Sequence, residues 1–214
     1  MSEEFVTVRG EKYFVKNKEL YLSGRGVSDI AEIEELDALT NLQYLNLSYN
    51  EIKEISGLEH LTNLKELWLS SNQIKELKGF DTLTNLQVLY LGWTEIKEIK
   101  KLEHLKSLQI LVLSGNEIKE IKGLEHFTNL QGLWLNENQI TEIKGLEHLT
   151  NLRTLSLAEN KIKEIIGLES LTNLQQLNLH HNPIRAYETH LIDKCAQEVV
   201  KYCQDKARKV KKGS

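Results

Sequence analysis

Four histidines, His60, His104, His126 and His148, recur at multiples of 22 residues, and His180, His181, His190 and Cys195 gather toward the C-terminus. Imidazole nitrogens and thiolates are zinc ligands, so both groups raise the question of a metal. Side chains at one position of successive repeats point in parallel and do not converge on a single ion, so the first group is read as solvated. In the second, Cys195 finds a simpler place on the apolar face of a helix. No metal and no cofactor are expected. The stretch "SGRGVS", Ser23 to Ser28, offers two glycines but neither the third glycine nor the lysine of a phosphate-binding loop. No nucleophile, base and orienting acid recur together, so no catalytic residues are assigned and the chain is expected not to be an enzyme.

The elements that must position any site follow from an internal repeat. Units of 22 residues begin at Leu39, Leu61, Leu83, Leu105, Phe127, Leu149 and Leu171, and read approximately L-T-N-L-x-x-L-x-L-x-x-N-x-I-x-E-I-x-G-L-E-H. An irregular unit, "LYLSGRGVSDIAEIEEL" from Leu20 to Leu36, precedes them and is longer by three residues. Leu45 and Leu47 lie two apart, the period of a strand with one face buried. Ile52, Ile55, Leu58, Leu61, Leu64 and Leu67 then follow in steps of three, which matches a tight 3₁₀-like coil. Each unit is therefore one turn of a solenoid whose apolar side chains find a core only by stacking on the next turn.

These units resemble the leucine-rich repeat family, in the 22-residue subclass typified by the nuclear regulatory subunit of protein phosphatase 1 and, less closely, by bacterial internalins. The L-x-x-L-x-L-x-x-N pattern that carries the resemblance places asparagine at Asn50, Asn72, Asn116, Asn138, Asn160 and Asn182. The resemblance implies an α/β solenoid: a right-handed coil with a parallel concave sheet and a 3₁₀-like convex side. It also implies that these asparagines stack inside the coil, where an amide can both donate to and accept from backbone groups. The segment "NPIRAYETHLIDKCAQEVVKYCQDK" resembles the stretch that follows the repeats in Roco-type proteins, which leads there into a GTPase domain.

The strand positions between inward leucines face the concave side. Reading them along the chain gives Tyr21, Trp68, Tyr90, Val112 and Trp134 in one column and Tyr44, Val88 and Ile110 in the adjacent one. Strands stack about 4.8 Å apart, so Trp68, Tyr90, Val112 and Trp134 are expected to form a contiguous row. Tyr49 and Trp93 fall where the chain leaves the strand. An aromatic cluster of this size is the composition of an interface centre, with Glu66, Glu137, Glu159 and Tyr49 as its rim and Trp93 as its expected anchor. Thr94 stands in an asparagine slot as a tolerated substitution. The repeated Lys-Glu pairs, from Lys53-Glu54 to Lys119-Glu120, read as a solvated, self-compensating return face.

The units run from 20 to 182, with residues 1–19 expected to form an N-terminal hairpin cap around Arg9-Gly10. A C-terminal cap helix is expected within 183–209, running from about Glu188 to Arg208 with Leu191, Ile192, Cys195, Val199, Tyr202 and Cys203 on its buried face. Residues 210–214 read as a basic, flexible tail. The net charge is -4, yet the last nine residues carry five basic side chains and no acidic one, so the body is strongly acidic and nucleic acid is an unsuitable partner. Cys195 and Cys203 are eight residues apart, too far along a helix for a mutual disulfide. No apolar run is long enough to insert in a membrane, and the charged N-terminus does not resemble a secretory leader. The expectation is a cytoplasmic, monomeric, non-catalytic module that binds a protein partner, in a signalling or regulatory scaffold associated by resemblance with a phosphatase or a GTPase. An internalin-like adhesion or structural role, a repeat fragment of a larger GTPase-type protein, and a consensus-like engineered scaffold stand as alternatives; irregularities at Thr94, Lys101 and Lys106-Ser107 favour natural origin.

Overall fold

A computed structural model describes residues 4–212. The strands are β1 (Phe5–Val8), β2 (Glu11–Phe14), β3 (Glu19–Tyr21), β4 (Ile33–Glu34), β5 (Tyr44–Asn46), β6 (Glu66–Trp68), β7 (Val88–Tyr90), β8 (Ile110–Val112), β9 (Gly132–Trp134), β10 (Thr154–Ser156) and β11 (Gln176–Asn178); one α-helix, α1 (Ala196–Lys212), follows. Strands β3 and β5 to β11 form one eight-stranded parallel sheet in chain order, with each leucine opposite the equivalent leucine of the next unit, as Leu89 is opposite Leu67 and Leu111. Such uniform register follows from the constant 22-residue spacing, because a slip of one residue would turn every leucine outward. The molecule is a solenoid of stacked coils with one parallel sheet and a helical cap.

On the return side the steps of three become successive backbone bonds three residues apart: Leu61 N–H donates to Leu58 O and Leu64 N–H to Leu61 O. These remain single turns in the regular units, and the assigned 3₁₀ helices lie in the irregular first unit and after the last. A glycine then closes most turns. At Gly79 a Cβ would stand 2.2 Å from the backbone oxygen of Ile55, and φ is +83°, so the coil pitch on this side is set by backbone against backbone. Lys101 occupies the same slot at φ +61°, short of the 74–83° of its glycine counterparts Gly57, Gly79, Gly123, Gly145 and Gly167.

At the N-terminal end, β1 pairs antiparallel with β2 around Arg9-Gly10. Strand β4, in the three extra residues' neighbourhood, adds to the other side of β1 to make a second sheet of order β2-β1-β4, which the sequence reading did not anticipate. At the other end the helix begins at Ala196, not near Glu188, and runs to Lys212, past the expected end at 208 or 209. Residues 210–212 of the expected flexible tail are therefore helical, and 213–214 lie outside the described residues. The late start corrects a second expectation. Ala196, Val199, Val200 and Cys203 form the buried stripe, while Cys195 precedes the helix and is exposed.

That contrast between the cysteines is directly testable. Burial pushes the Cys203 thiol up to about 12, and its Sγ lies 3.6 Å from Ile165 O. A thiol that stays protonated and covered does not react, since the thiolate is the nucleophile. One equivalent of thiol, Cys195, is expected to react with a disulfide reagent at pH 8 in the native protein, and the second only after denaturant is added. Among the described residues no helix is long and apolar enough to cross a membrane.

Candidate functional site: the concave face

Two ladders of amides hold the strands that present this face. Inside the coil, Asn138 accepts from Ile118 N–H at 3.0 Å and donates to Leu113 O, Leu135 O and Asn136 O at 2.9–3.3 Å. Asn72, Asn116, Asn160 and Asn182 repeat this pattern, and Asn50 does so against the irregular unit, accepting from Arg25 and Val27 N–H. A second ladder, absent from the sequence reading, runs along the strand entrances. Asn63, Asn85, Asn129, Asn151 and Asn173 each donate to a carbonyl 23 residues earlier, from Thr40 O to Thr150 O. The T-N pair of every unit except Lys106-Ser107 was its signal.

Thr94 keeps part of the inner ladder. Its hydroxyl donates to Asn116 Oδ1 at 2.6 Å and approaches Leu91 O at 3.2 Å, while the Ile74 amide, the counterpart of Ile118 N–H, has no side-chain acceptor. Restoring the consensus with Thr94→Asn and Lys101→Gly is expected to stabilise the fold by about 1 kcal/mol for each change. Chemical denaturation of the single and double variants measures it.

Each asparagine of the inner ladder, and Thr94 in the slot of one, is preceded by a residue in left-handed backbone: Tyr49, Ser71, Trp93, Gly115, Glu137, Glu159 and His181 all lie between φ +52° and +67°. This twist turns the chain out of the strand and sends the next side chain inward. It also throws the preceding residue outward, so Tyr49 is 70% exposed and Trp93 55%.

The aromatic residues of the concave columns form a zigzag stack. Tyr21 and Tyr44 have ring centroids 4.9 Å apart, Tyr44 and Trp68 5.9 Å, and Trp68 and Tyr90 stack at 4.3 Å. The stack steps from one column to the other at β5 because Asn46, short and occupied with Ser48 N–H, leaves room for Tyr44. Strand pairing then continues the row through Val112 to Trp134, with Val88 and Ile110 adjacent to each other in the neighbouring column.

Two details differ from the sequence picture. The rings from Tyr44 to Tyr90 are half-buried, since each covers its neighbour, and of the concave-face aromatics Tyr21, Tyr49 and Trp93 expose more than half their surface. Trp68 Nε1 is enclosed without an acceptor, a polar group sacrificed to the stack. The other two tryptophans stay out of the stack and lie against glycines. A Cβ at Gly115 would stand 2.6 Å from Trp93 Cδ1, and one at Gly132 would stand 2.4 Å from Trp134 Cζ3.

Charge divides the surface. Glu19 accepts the Tyr21 hydroxyl at 2.7 Å, which pushes the Tyr21 phenol up to about 12, and Glu66 is half-buried between Tyr44 and Val88. Gln87, Gln109, Gln131 and Arg153 line a shallow polar groove at the strand entrances, and Glu137 and Glu159 stand at the strand exits. Among the described residues, no group of histidine, cysteine and acidic side chains is placed to hold a metal ion.

Comparison with known proteins agrees with this architecture. A family model described as leucine rich repeats in two copies matches residues 62–107, 84–126, 106–148 and 150–191, and a leucine rich repeat model matches residues 18–74. No curated protein matches the chain. Among solved structures, an internalin (inlF) from Listeria monocytogenes is 34% identical at TM-score 0.71, covering 77% of this chain and 48% of that one. Internalin C2 of the same organism is 35% identical at TM-score 0.73, covering 82% of this chain and 76% of that one. A leucine-rich repeat protein of Leptospira interrogans is 31% identical at TM-score 0.68, covering 79% and 44%. The chain thus spans about half the length of two of these three structures. Repeat period, asparagine ladder, parallel sheet and family models agree, and the chain belongs to the leucine-rich repeat family.

Proposed function

We propose that this chain is a non-catalytic protein-interaction module that binds a protein partner on its concave sheet, through Tyr21, Tyr44, Tyr49, Trp68, Val88, Tyr90, Trp93, Ile110, Val112 and Trp134. The observation that carries the reading is the continuous aromatic and apolar band from Tyr21 to Trp134 on a rigid sheet. Large rings held in place by neighbours lose little freedom on binding, which is what interface anchors require. Membership of a family built for extended concave surfaces supports it further.

A triple variant, Trp68→Ala, Tyr90→Ala and Trp134→Ala, is expected to lose at least tenfold in partner capture from lysate of the source cell. Because the leucine core is untouched, its thermal unfolding should stay within about 5 °C of the parent. Undiminished capture by the folded variant would sink the reading.

The finer assignment is a cytoplasmic regulator of a phosphatase or GTPase-type signalling protein, supported by the repeat consensus and by the segment from Asn182 to Lys206. A second reading, an internalin-like adhesion or structural role, is favoured by the 35% identity to internalin C2 over 76% of that chain. Fractionating the source cell with an antibody to the repeats decides between them: a soluble cytoplasmic pool supports the regulator, and surface or culture-medium antigen supports the adhesin.

A further inference from the structure

We propose that the strand-exit edge of the concave face receives an arginine side chain of the protein partner, stacked on the Trp93 indole and paired to Glu137 and Glu159. This inference rests on the concave-binding reading above and specifies the chemistry of its partner.

Three observations lead to it. The first is how the rings lie. Tyr44, Trp68 and Tyr90 spend their faces on one another, and Trp134 brings only the edge of its ring to Gly132, whereas Trp93 lays one face on Gly115 and stays 55% exposed. An uncovered indole face is the best side-chain surface for a cation.

The second is position. Trp93, Gly115, Glu137 and Glu159 follow one another in a single column, one per coil, all in left-handed backbone. A ring resting on Gly115 therefore ends about one strand spacing, roughly 4.8 Å, from the Glu137 rung. Trp134 leans the other way, toward Gly132 at the strand entrance, and takes no part in this site. A planar guanidinium can stack on an indole and direct its N–H fork at a carboxylate in the same plane, which a lysine ammonium cannot do.

The third is charge. Six acids of the return face are paired: Glu54 with Lys78, Glu95 with Lys75, Glu98 with Lys100, Glu117 with Lys97, Glu120 with Lys122 and Glu142 with Lys144. Glu137 accepts only a 3.4 Å bond from the neutral Asn136 amide, and neither it nor Glu159 forms an ion pair. His181, the rung beyond Glu159 in the same column, and the exposed Lys161 and Arg153 form no ion pair with either. These two carboxylates, beside the exposed Trp93 indole, are complementary to a cation from a partner.

The test uses the three indole N–H signals in a ¹H–¹⁵N spectrum of the full chain, assigned with single Trp→Phe variants. The probe is a blocked glycine peptide carrying one arginine, and the control is the same peptide with neutral citrulline. The arginine peptide is expected to shift the Trp93 signal and leave Trp68 and Trp134 in place. Glu137→Gln with Glu159→Gln should weaken it by roughly tenfold. The inference is overturned if citrulline shifts the same signals equally, if the double variant binds undiminished, or if no signal moves at millimolar peptide. Partner capture lost in the triple aromatic variant but unchanged in the double glutamate variant would overturn this inference and leave the interaction reading standing. Capture unchanged in both would overturn both.

Discussion

Replacing Asn138 by alanine is expected to cost about 3 kcal/mol, which lowers the thermal midpoint by roughly 6–12 °C. The amide is 7% exposed and makes four bonds, one to a donor and three to carbonyls, on two different coils. Alanine leaves Ile118 N–H inside the coil without an acceptor, which costs about 1–3 kcal/mol. Leu113 O and Leu135 O each lose one of two amide donors and keep Asn116 and Asn160, and each lost bond adds about 0.5–1.5 kcal/mol. A repeat array holds together through nearest-neighbour contacts, so a fault in the middle also separates the halves. Circular dichroism should show a broader transition as well as an earlier one. An unchanged midpoint would mean the ladder is ornamental to stability.

The second large effect is expected at the C-terminal cap. Glu188 is completely buried, accepts Ile165 N–H at 3.1 Å and the Tyr202 hydroxyl at 2.9 Å, and pairs with Lys206 at 2.8 Å. Lys206 also reaches Glu164 at 2.7 Å, and Glu164 pairs with Arg185, so one carboxylate ties the last coil, the connecting segment and α1 together. Glu188→Ala strips the partner from three groups at once and is expected to cost about 3 kcal/mol, the lower end for a broken buried pair because Lys206 keeps Glu164. The loss is local. Cys203 on the covered face of α1 should become reactive toward a thiol reagent without denaturant, while amide exchange in β5 to β8 stays slow. If Cys203 remains protected, the helix is held by its apolar stripe alone.

The repeat made most of the fold legible, because a constant period with leucines two and three apart admits one register. Strand positions and core follow from that arithmetic, and the inner asparagines from the family resemblance. What escaped lies where the period stops. Glu188 carries no periodic signal, and its burial depends on Lys206, eighteen residues later in the chain. The helix was placed eight residues too early because Leu191 and Ile192 fit its apolar spacing, yet they belong to a turn pinned by Glu188, and Cys195 is exposed as a result. Strand β4 is two residues long and gains its partner from the N-terminal hairpin. On the concave face, the columns could be read but the attitude of the rings could not. Whether an indole stands or lies depends on the residue beneath it. Gly115 under Trp93 and Gly132 at the edge of Trp134 were the signs, visible only once strand neighbours were paired.

The inner ladder has a direction, and that direction matters while the chain is being made. Each asparagine completes the coil before its own: Asn160 reaches back to Leu135 and Ile140, and Asn182 to Leu157 and Ile162. A coil emerging from the ribosome therefore stays unfinished until the next has followed it, so the folded front trails synthesis by one whole unit. The last coil has no successor, and α1 with the segment before it stands in for one: Gln197 caps Thr172 O and Leu174 O, Gln204 caps Glu169 O, and Glu188 takes Ile165 N–H. The C-terminal segment thus ends a relay in which every turn is finished by the residues translated after it.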